Sequence, residues 1–163
     1  MDWKRHLEDC YAAAQAQTEY GVFPVFDTPT SLEALLEVET ALKIVFPTSL
    51  KDLLQQTNGV FEQMSINGEM INSGTFIFPL AELRQLNENF RKKGIEAKDN
   101  FNSFLFFGTA GVDGIRFAFK ASSQAPNLDD EVYAWYPYEG SFVKMSNSLK
   151  DFVCDWIMSK LSV

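Results

Sequence analysis

The spacing of apolar residues changes near Gly59, and this change limits the possible folds more than any other feature of the chain. Before Gly59, apolar residues recur every three or four positions, as they do in amphipathic helices. After it they alternate or form short runs, such as residues 104–107, that are typical of strands. Strands joined by a turn as short as Asn67-Gly68 must be antiparallel. The chain is therefore predicted to adopt an α+β fold.

The predicted architecture is an antiparallel β-sheet flanked by N-terminal helices, a mid-chain helix and a C-terminal helix. Helices are predicted over residues 3–14, 80–93 and 148–158, with two more between Pro29 and Gly59. Strands are predicted over residues 60–66, 69–71, 75–78, 104–107, 115–119, 131–136 and 142–145. Residues 21–29 are predicted to be a break between two helices.

The second helix is expected to begin after Pro29 with Thr30 as its N-cap. It is expected to stop at Phe46-Pro47, because a residue that precedes proline is pushed out of the helical region. Its buried face is predicted to hold Leu32, Leu35, Leu36 and Leu42.

Length and charge narrow the class of protein. The 163 residues predict one domain spanning residues 1–163, long enough to bury a core without a metal or a disulfide. There are 14 Lys and Arg against 22 Asp and Glu, a formal charge of −8. This charge argues against direct nucleic-acid binding, which requires clustered basic side chains, and suits a basic partner. The chain has no secretory signal and no run of about 18 apolar residues, so a cytoplasmic location without membrane contact is expected.

The cysteines and the histidine give little indication of catalytic chemistry. The two cysteines, Cys10 and Cys154, lie at opposite ends of the chain, and buried reduced thiols are favoured over a disulfide between them. Neither a metal site nor a cofactor is expected. His6 is the only histidine and is predicted to be a solvated helix residue, far in sequence from any candidate nucleophile. No catalytic residue and no enzymatic activity are therefore predicted.

The segment FGTAGVDG places Gly108, Gly111 and Gly114 at three-residue spacing. A phosphate-binding P-loop requires Gly-Lys-Ser/Thr followed by a helix, whereas Ile115 leads into a predicted strand. A tight connection between strands is therefore favoured over a phosphate site, with glycines at positive φ and Asp113 stabilising the turn.

The densest acidic run is formed by Asp129, Asp130 and Glu131. It lacks the spaced ligands and the glycine of an EF-hand loop, so a solvated loop is favoured over a calcium site. In the strand that follows, alternation places Trp135 and Tyr136 on opposite faces. A core position is favoured for Trp135, and an exposed aromatic anchor beside acidic residues is the functional alternative.

Three stretches resemble the SUKH superfamily, which includes the fungal Smi/Knr cell-wall regulators. The most specific is ETALKIVFPTSLKDLLQQTNG, and FLFFGTAGVDGIRFAFK and VYAWYPYEGSFVKMSNSLKDFVCDWI support it by their order. Together they cover about residues 31–158. The motif positions in this chain are Glu39, Leu42, Phe46, Pro47, Leu50, Leu54, Asn58 and Gly59. They are expected to be structural, with the leucines in the core and with Pro47 and Gly59 as helix stops. Lys43 stands where the family often has glycine, which predicts a different end for the second helix.

The resemblance implies an α+β fold and a non-enzymatic role. Bacterial members are thought to be immunity proteins that bind and neutralise polymorphic or contact-dependent toxins, often nucleases. This chain is accordingly expected to block a cognate toxin, with a basic nuclease domain as the expected partner. The alternative is an adaptor or regulatory scaffold like the fungal members. The predicted partner contacts are Asp113, Asp129, Asp130, Glu131, Tyr136, Tyr138 and Glu139.

Overall fold

Seven strands form one antiparallel sheet in the computed structural model, which describes residues 1–17, 21–94, 101–121 and 130–163. Each strand pairs with the strands before and after it in the chain, so the sheet is a meander. The strands are β1 (Val22–Phe26), β2 (Val60–Ile66), β3 (Glu69–Ile77), β4 (Phe104–Thr109), β5 (Arg116–Lys120), β6 (Val132–Tyr136) and β7 (Ser141–Ser146). The predicted α+β fold with an antiparallel sheet is confirmed.

Helices surround this sheet. Within the described ranges they are α1 (Trp3–Gln15), α2 (Leu32–Leu42), α3 (Thr48–Leu54), α4 (Leu80–Gly94) and α5 (Leu149–Ile157), with a short 3-10 helix at Phe101–Ser103. The helices predicted over residues 3–14, 80–93 and 148–158 are confirmed to within about one residue at each end. Among the described helices, none combines the length and the apolar character required to cross a membrane.

The central strands are buried on both faces, as their apolar runs predict. The larger core cluster contains side chains from all five helices and the sheet residues Leu105, Phe107 and Phe117. On the opposite face, a smaller cluster is formed by Phe101, Phe106, Ala118 and Trp135, with Phe90 of α4 packed against it. Trp135 is only 4% exposed, so its favoured core position is confirmed.

Two strands differ from the prediction. Residues 21–29, which were predicted to be a break, contain strand β1, which pairs with β2. Because β1 is an edge strand, it tolerates Pro24, which has no N–H to donate to a neighbour. Strand β3 runs from Glu69 to Ile77 without a break, although the sequence predicts two short strands there. Pairing with β2 holds Asn72 and Gly74 in the strand.

Helix α2 begins one residue later than predicted. Its N-cap is Ser31 and not Thr30, since Ser31 Oγ accepts a hydrogen bond from Ala34 N at 3.1 Å. The prediction that Leu32 and Leu36 are buried is wrong, because both face solvent. The buried face of α2 consists of Leu35, Val38, Glu39 and Leu42.

Helix α2 also ends earlier than the predicted stop at Pro47. Lys43 follows the helix in the left-handed conformation, with φ of 54°. Ile44 N donates to Glu39 O at 3.1 Å and Lys43 N donates to Thr40 O at 3.2 Å, which are the two hydrogen bonds of a Schellman motif. Lys43 therefore adopts the conformation that glycine usually adopts at this position. The prediction that Lys43 changes the end of the helix is wrong.

Glu39 connects α2 to the start of α3. Its side chain is largely buried, and Oε1 accepts a hydrogen bond from Phe46 N at 2.6 Å and lies 3.1 Å from Lys51 Nζ. Pro47 is the N-cap of α3, so it precedes a helix and does not stop one. The motif residues predicted for the core are all buried: Leu42, Leu50 and Leu54, together with Phe46.

The sequence predicts that Asn58 and Gly59 end α3, but this helix ends at Leu54 and the pair has another role. Asn58 Oδ1 accepts a hydrogen bond from Leu80 N at 2.8 Å and so caps α4. Gly59 has φ of 97°, and a Cβ atom there would lie 2.9 Å from both Ile77 O and Pro79 N. Only glycine permits this close approach, which seats the start of β2 against the β3–α4 junction.

Helices α1 and α5 pack together and are joined by a disulfide between Cys10 and Cys154, whose Cα atoms lie 5.2 Å apart. The prediction of two reduced thiols is therefore wrong for this structure. His6 lies on α1 as predicted and is partly exposed, one helical turn before Cys10 at the α1–α5 contact. His6 Nε2 donates a hydrogen bond to Lys150 O at 3.1 Å and lies 3.9 Å from Cys10 Sγ.

Candidate protein-binding site

The turns of an antiparallel meander alternate between the two ends of the sheet. The β2–β3 turn (residues 67–68), the β4–β5 turn (residues 110–115) and the β6–β7 turn (residues 137–140) therefore lie at one end. We call this end, including the flanking residues 66 and 69–71, the turn end. The residues that lead into β6 lie at the opposite end.

A cavity of about 200 Å³ opens at the turn end, between the β4–β5 and β6–β7 turns. Its lining residues are Asp113, Ile115, Tyr136, Pro137, Tyr138, Glu139 and Val163. Four of the seven predicted contact residues are among them: Asp113, Tyr136, Tyr138 and Glu139. The two turns are in close contact, since a Cβ atom on Gly114 would lie 3.4 Å from Pro137 Cγ.

The backbone of the β4–β5 turn confirms the predicted tight connection. Gly111 and Gly114 have φ of 77° and 71°, and Asp113 is also left-handed at 50°. Gly108 differs, because its φ is not positive and it lies in strand β4. A Cβ atom on Gly108 would lie 2.6 Å from Phe76 O, so glycine is required there for the approach of β3.

Exposed apolar side chains are concentrated at the turn end. Tyr138 is 89% exposed, and Val112 of the neighbouring turn is about half exposed. The β2–β3 hairpin adds Ile66, Met70 and Ile71, each of which is also about half exposed. Apolar residues that stay in solvent at one end of a sheet are typical of a surface that another molecule covers. The β2–β3 hairpin extends beyond the other two turns, because Ile77, the last residue of β3, pairs with Gly108 near the end of β4.

The charged side chains of the turn end are acidic. Glu69, Asp113 and Glu139 form no ion pair with any residue in the described ranges. The nearest cation along β5, Arg116, is partly buried, and its Nη1 donates to Thr109 Oγ1 at 3.2 Å. Burial lowers the pKa of Arg116. The turn end therefore presents carboxylates that are available to a cationic partner.

The remaining predicted contacts do not lie at the turn end. Asp130 and Glu131 lead into β6 and so lie at the opposite end of the sheet, while Asp129 lies outside the described residues. The Glu131 carboxylate accepts hydrogen bonds from Lys144 Nζ and, at 2.7 Å, from Tyr133 Oη. Both hydrogen bonds lower the pKa of Glu131, and the one from Lys144 has the larger effect. Glu131 is thus held by its own β6–β7 hairpin.

The sequence prediction missed the apolar members of the turn end: Ile66, Met70, Ile71 and Val112. A signal was present, because Met70 and Ile71 are adjacent in a strand and adjacent strand residues point to opposite faces. In a strand with one solvated face, one of the two residues is expected to face away from the core.

Comparison with known proteins identifies the family. The sequence profile of the SMI1 / KNR4 family (SUKH-1) matches residues 29–155, which is most of the chain. No curated protein sequence matches it. The matched range contains α2 to α4, most of α5, strands β2 to β7 and the β4–β5 and β6–β7 turns that form the cavity. On this match, and on the α+β fold that accompanies it, the chain belongs to the SMI1/KNR4 (SUKH-1) family.

Proposed function

We propose that this chain is a non-enzymatic immunity protein that neutralises a cognate toxin by direct binding, and that the turn end makes the contact. The family, which includes immunity proteins, supports the general role. The observation that carries the proposal is the position of Tyr138, which is 89% exposed beside the unpaired carboxylates of Glu139 and Asp113.

Tyr138 has the properties of an interface anchor. A tyrosine offers a large, rigid contact area and a hydroxyl group that can hydrogen-bond to a partner. The surrounding turns are firmly attached to the sheet, because Tyr136 packs against the main core and Ile115 is buried. Binding therefore requires little ordering of the backbone, which favours affinity.

The charge of the turn end predicts the chemistry of the partner. The turn end carries three acidic side chains, those of Glu69, Asp113 and Glu139, and the whole chain has a formal charge of −8. A basic surface, such as the nucleic-acid site of a nuclease toxin, would be attracted to this end and would associate faster because of the attraction. Complementary charge also disfavours acidic partners, which supports selectivity.

The proposed mechanism is occlusion. A stable protein–protein interface buries roughly 1,600 Å² in total, or about 800 Å² on each partner. The cavity alone is too small for such a contact, so the interface would extend over the exposed residues of all three turns. A toxin covered in this way cannot admit its substrate, and no chemical step by this chain is needed.

Co-expression with the toxin domain encoded beside the gene tests this function. We expect the wild-type chain to restore growth and to co-elute with the toxin as one complex in size-exclusion chromatography. A chain that neither restores growth nor forms the complex would refute the immunity role. In that case, a pull-down that recovers cellular regulatory proteins in place of the toxin would favour the adaptor role of the fungal members.

The same assay tests the location of the surface. Glu139→Lys reverses one charge at the turn end, and Glu8→Lys makes the same change on the exposed side of α1. We expect Glu139→Lys to slow association with the toxin and to weaken growth rescue, while Glu8→Lys retains both. Equal effects of the two variants would show that only net charge matters, and the proposed surface would be wrong.

A further inference from the structure

The α1–α5 contact brings together three side chains that can bind a soft metal ion. The ligand atoms of His6, Cys10 and Cys154 all lie within 4.8 Å of one another. His6 and Cys10 are four residues apart on α1 and therefore share one face of the helix, while Cys154 comes from α5. None of the three residues lines the turn-end cavity, so the site takes no part in the proposed binding surface.

We propose that this cluster is a redox-controlled zinc site: the oxidised chain carries the Cys10–Cys154 disulfide, and the reduced chain binds Zn²⁺ through both sulfurs and His6 Nε2. Two thiolates and one imidazole are a ligand set that zinc favours, with water in the fourth position. Cys10 is buried, but His6 and Cys154 are partly exposed, so an ion and a water molecule can reach the site.

The distances fit this assignment after a small rearrangement. Zn–S bonds of about 2.3 Å and Zn–N bonds of about 2.0 Å in a tetrahedron place sulfur and nitrogen about 3.6 Å apart and the two sulfurs about 3.8 Å apart. The distance from His6 Nε2 to Cys10 Sγ is already 3.9 Å. The two sulfurs must separate by roughly 2 Å, which breaking the disulfide permits. The imidazole must turn from Lys150 O toward the sulfurs, and it gives up that hydrogen bond.

The redox step requires a dithiol reductant, the class that keeps cytoplasmic thiols reduced. The Cys10–Cys154 S–S bond breaks and two S–H bonds form, while the two S–H bonds of the reductant break and its own disulfide forms. Zn²⁺ then replaces the two thiol protons, which go to solvent. The imidazole proton moves from Nε2 to Nδ1, so each zinc ion bound releases two protons.

The metal would take over the structural role of the disulfide. In an oxidising compartment, α1 and α5 are joined by the S–S bond. In a reducing compartment, the bound ion joins the same two helices, because its ligands come from both. When the thiols are reduced, metal supply then decides whether this cross-link between α1 and α5 is present.

Cobalt titration of the full chain tests the proposal, since Co²⁺ replaces Zn²⁺ and absorbs visible light in a tetrahedral thiolate site. The chain is reduced with a phosphine, freed of reductant without air and titrated with Co²⁺. We expect one Co²⁺ per chain with a thiolate charge-transfer band, and loss of that band when one equivalent of Zn²⁺ is added. The oxidised chain is expected to show no band.

Two variants distinguish the loss of a proposed ligand from a change in the surface around the site. His6→Ala keeps both thiols and is expected to weaken binding at least about tenfold. Asp9→Asn changes an exposed neighbour on α1 outside the cluster and is expected to leave the affinity unchanged. The absence of a thiolate band in the reduced wild-type chain, or equal affinity for His6→Ala and wild type, would overturn the proposal. If reduction unfolds the chain, failure of Zn²⁺ to restore the helical circular dichroism signal would overturn it as well.

Discussion

At the residue scale, Lys43 shows how the choice of residue at the end of α2 is tied to backbone geometry. The Schellman motif after α2 requires a left-handed residue, and Lys43 adopts φ of 54° there. The side chain of Lys43 is exposed. A non-glycine residue in this conformation costs roughly 1–2 kcal/mol. A glycine at this position would avoid that cost.

Lys43→Gly is therefore expected to stabilise the fold. Relief of backbone strain exceeds the extra chain entropy that glycine brings to the unfolded state, and the net gain in the free energy of unfolding should be about 0.5–1 kcal/mol. Urea unfolding followed by circular dichroism measures this gain. Lys43→Ala is the matched control and should show none, because alanine retains the strain. A Lys43→Gly chain that is less stable than wild type would contradict the assignment.

At the element scale, α1 and β1, which precede the family match, are attached to the matched domain by specific contacts. On helix α1, Trp3 N donates a hydrogen bond to Gln56 Oε1 at 2.7 Å. Tyr11 Oη, on the same helix, donates one to Glu62 Oε1 at 2.6 Å. Strand β1 adds the edge of the sheet beside β2. Together with the disulfide, these contacts join residues before position 29 to the matched domain. The buried side chains of α1 therefore belong to the same core as the matched domain.

The β6–β7 hairpin carries a pH-dependent contact. Hydrogen bonds from Lys144 and Tyr133 lower the pKa of Glu131, so the folded chain holds this carboxylate in its charged form more firmly than the unfolded chain does. The contribution to stability is fully present above the ordinary glutamate pKa of about 4.3. It is lost as the pH falls through the lower pKa of the folded state.

Lys144→Gln should therefore raise the pKa of Glu131 toward its ordinary value, which an NMR titration of the Glu131 carboxyl carbon measures. The stability difference between wild type and this variant should be present at neutral pH and should disappear in acid. Lys150→Gln, a change of an exposed lysine on α5, is the control and should leave the Glu131 titration unchanged. An unchanged titration in Lys144→Gln would contradict the contact.

Sequence patterns predicted the long elements well, because their burial follows from their own periodicity. Helices α1, α4 and α5 and the type I′ turn at Asn67-Gly68, where both residues have positive φ, are examples. Strand β1 and the disulfide were missed for a different reason. Each depends on a partner far away in the chain: β1 on β2, and Cys10 on Cys154, which is 144 residues away. Local spacing carries no signal for such pairings.

At the scale of the whole molecule, the meander decides which predicted contacts can act together. The sequence placed Glu131, Tyr136 and Glu139 in one acidic and aromatic group. A strand lies between Glu131 and Glu139, so the two residues are at opposite ends of the sheet. The same alternation brings Asp113, distant in sequence, to the cavity beside Tyr138. Strand order, which a single sequence does not reveal, therefore determined how much of the candidate site could be predicted.

Isothermal titration calorimetry of the chain with the proposed toxin domain tests the central claim, that the turn end is the binding surface. Tyr138→Ala removes the exposed anchor, and Glu131→Gln alters a predicted contact at the opposite end of the sheet. Both variants should first be shown to be folded by circular dichroism. We predict that Tyr138→Ala costs about 2 kcal/mol of binding energy, or roughly thirtyfold in Kd, while Glu131→Gln changes Kd by less than about twofold. Unchanged affinity in Tyr138→Ala, or a larger loss in Glu131→Gln, would contradict the account.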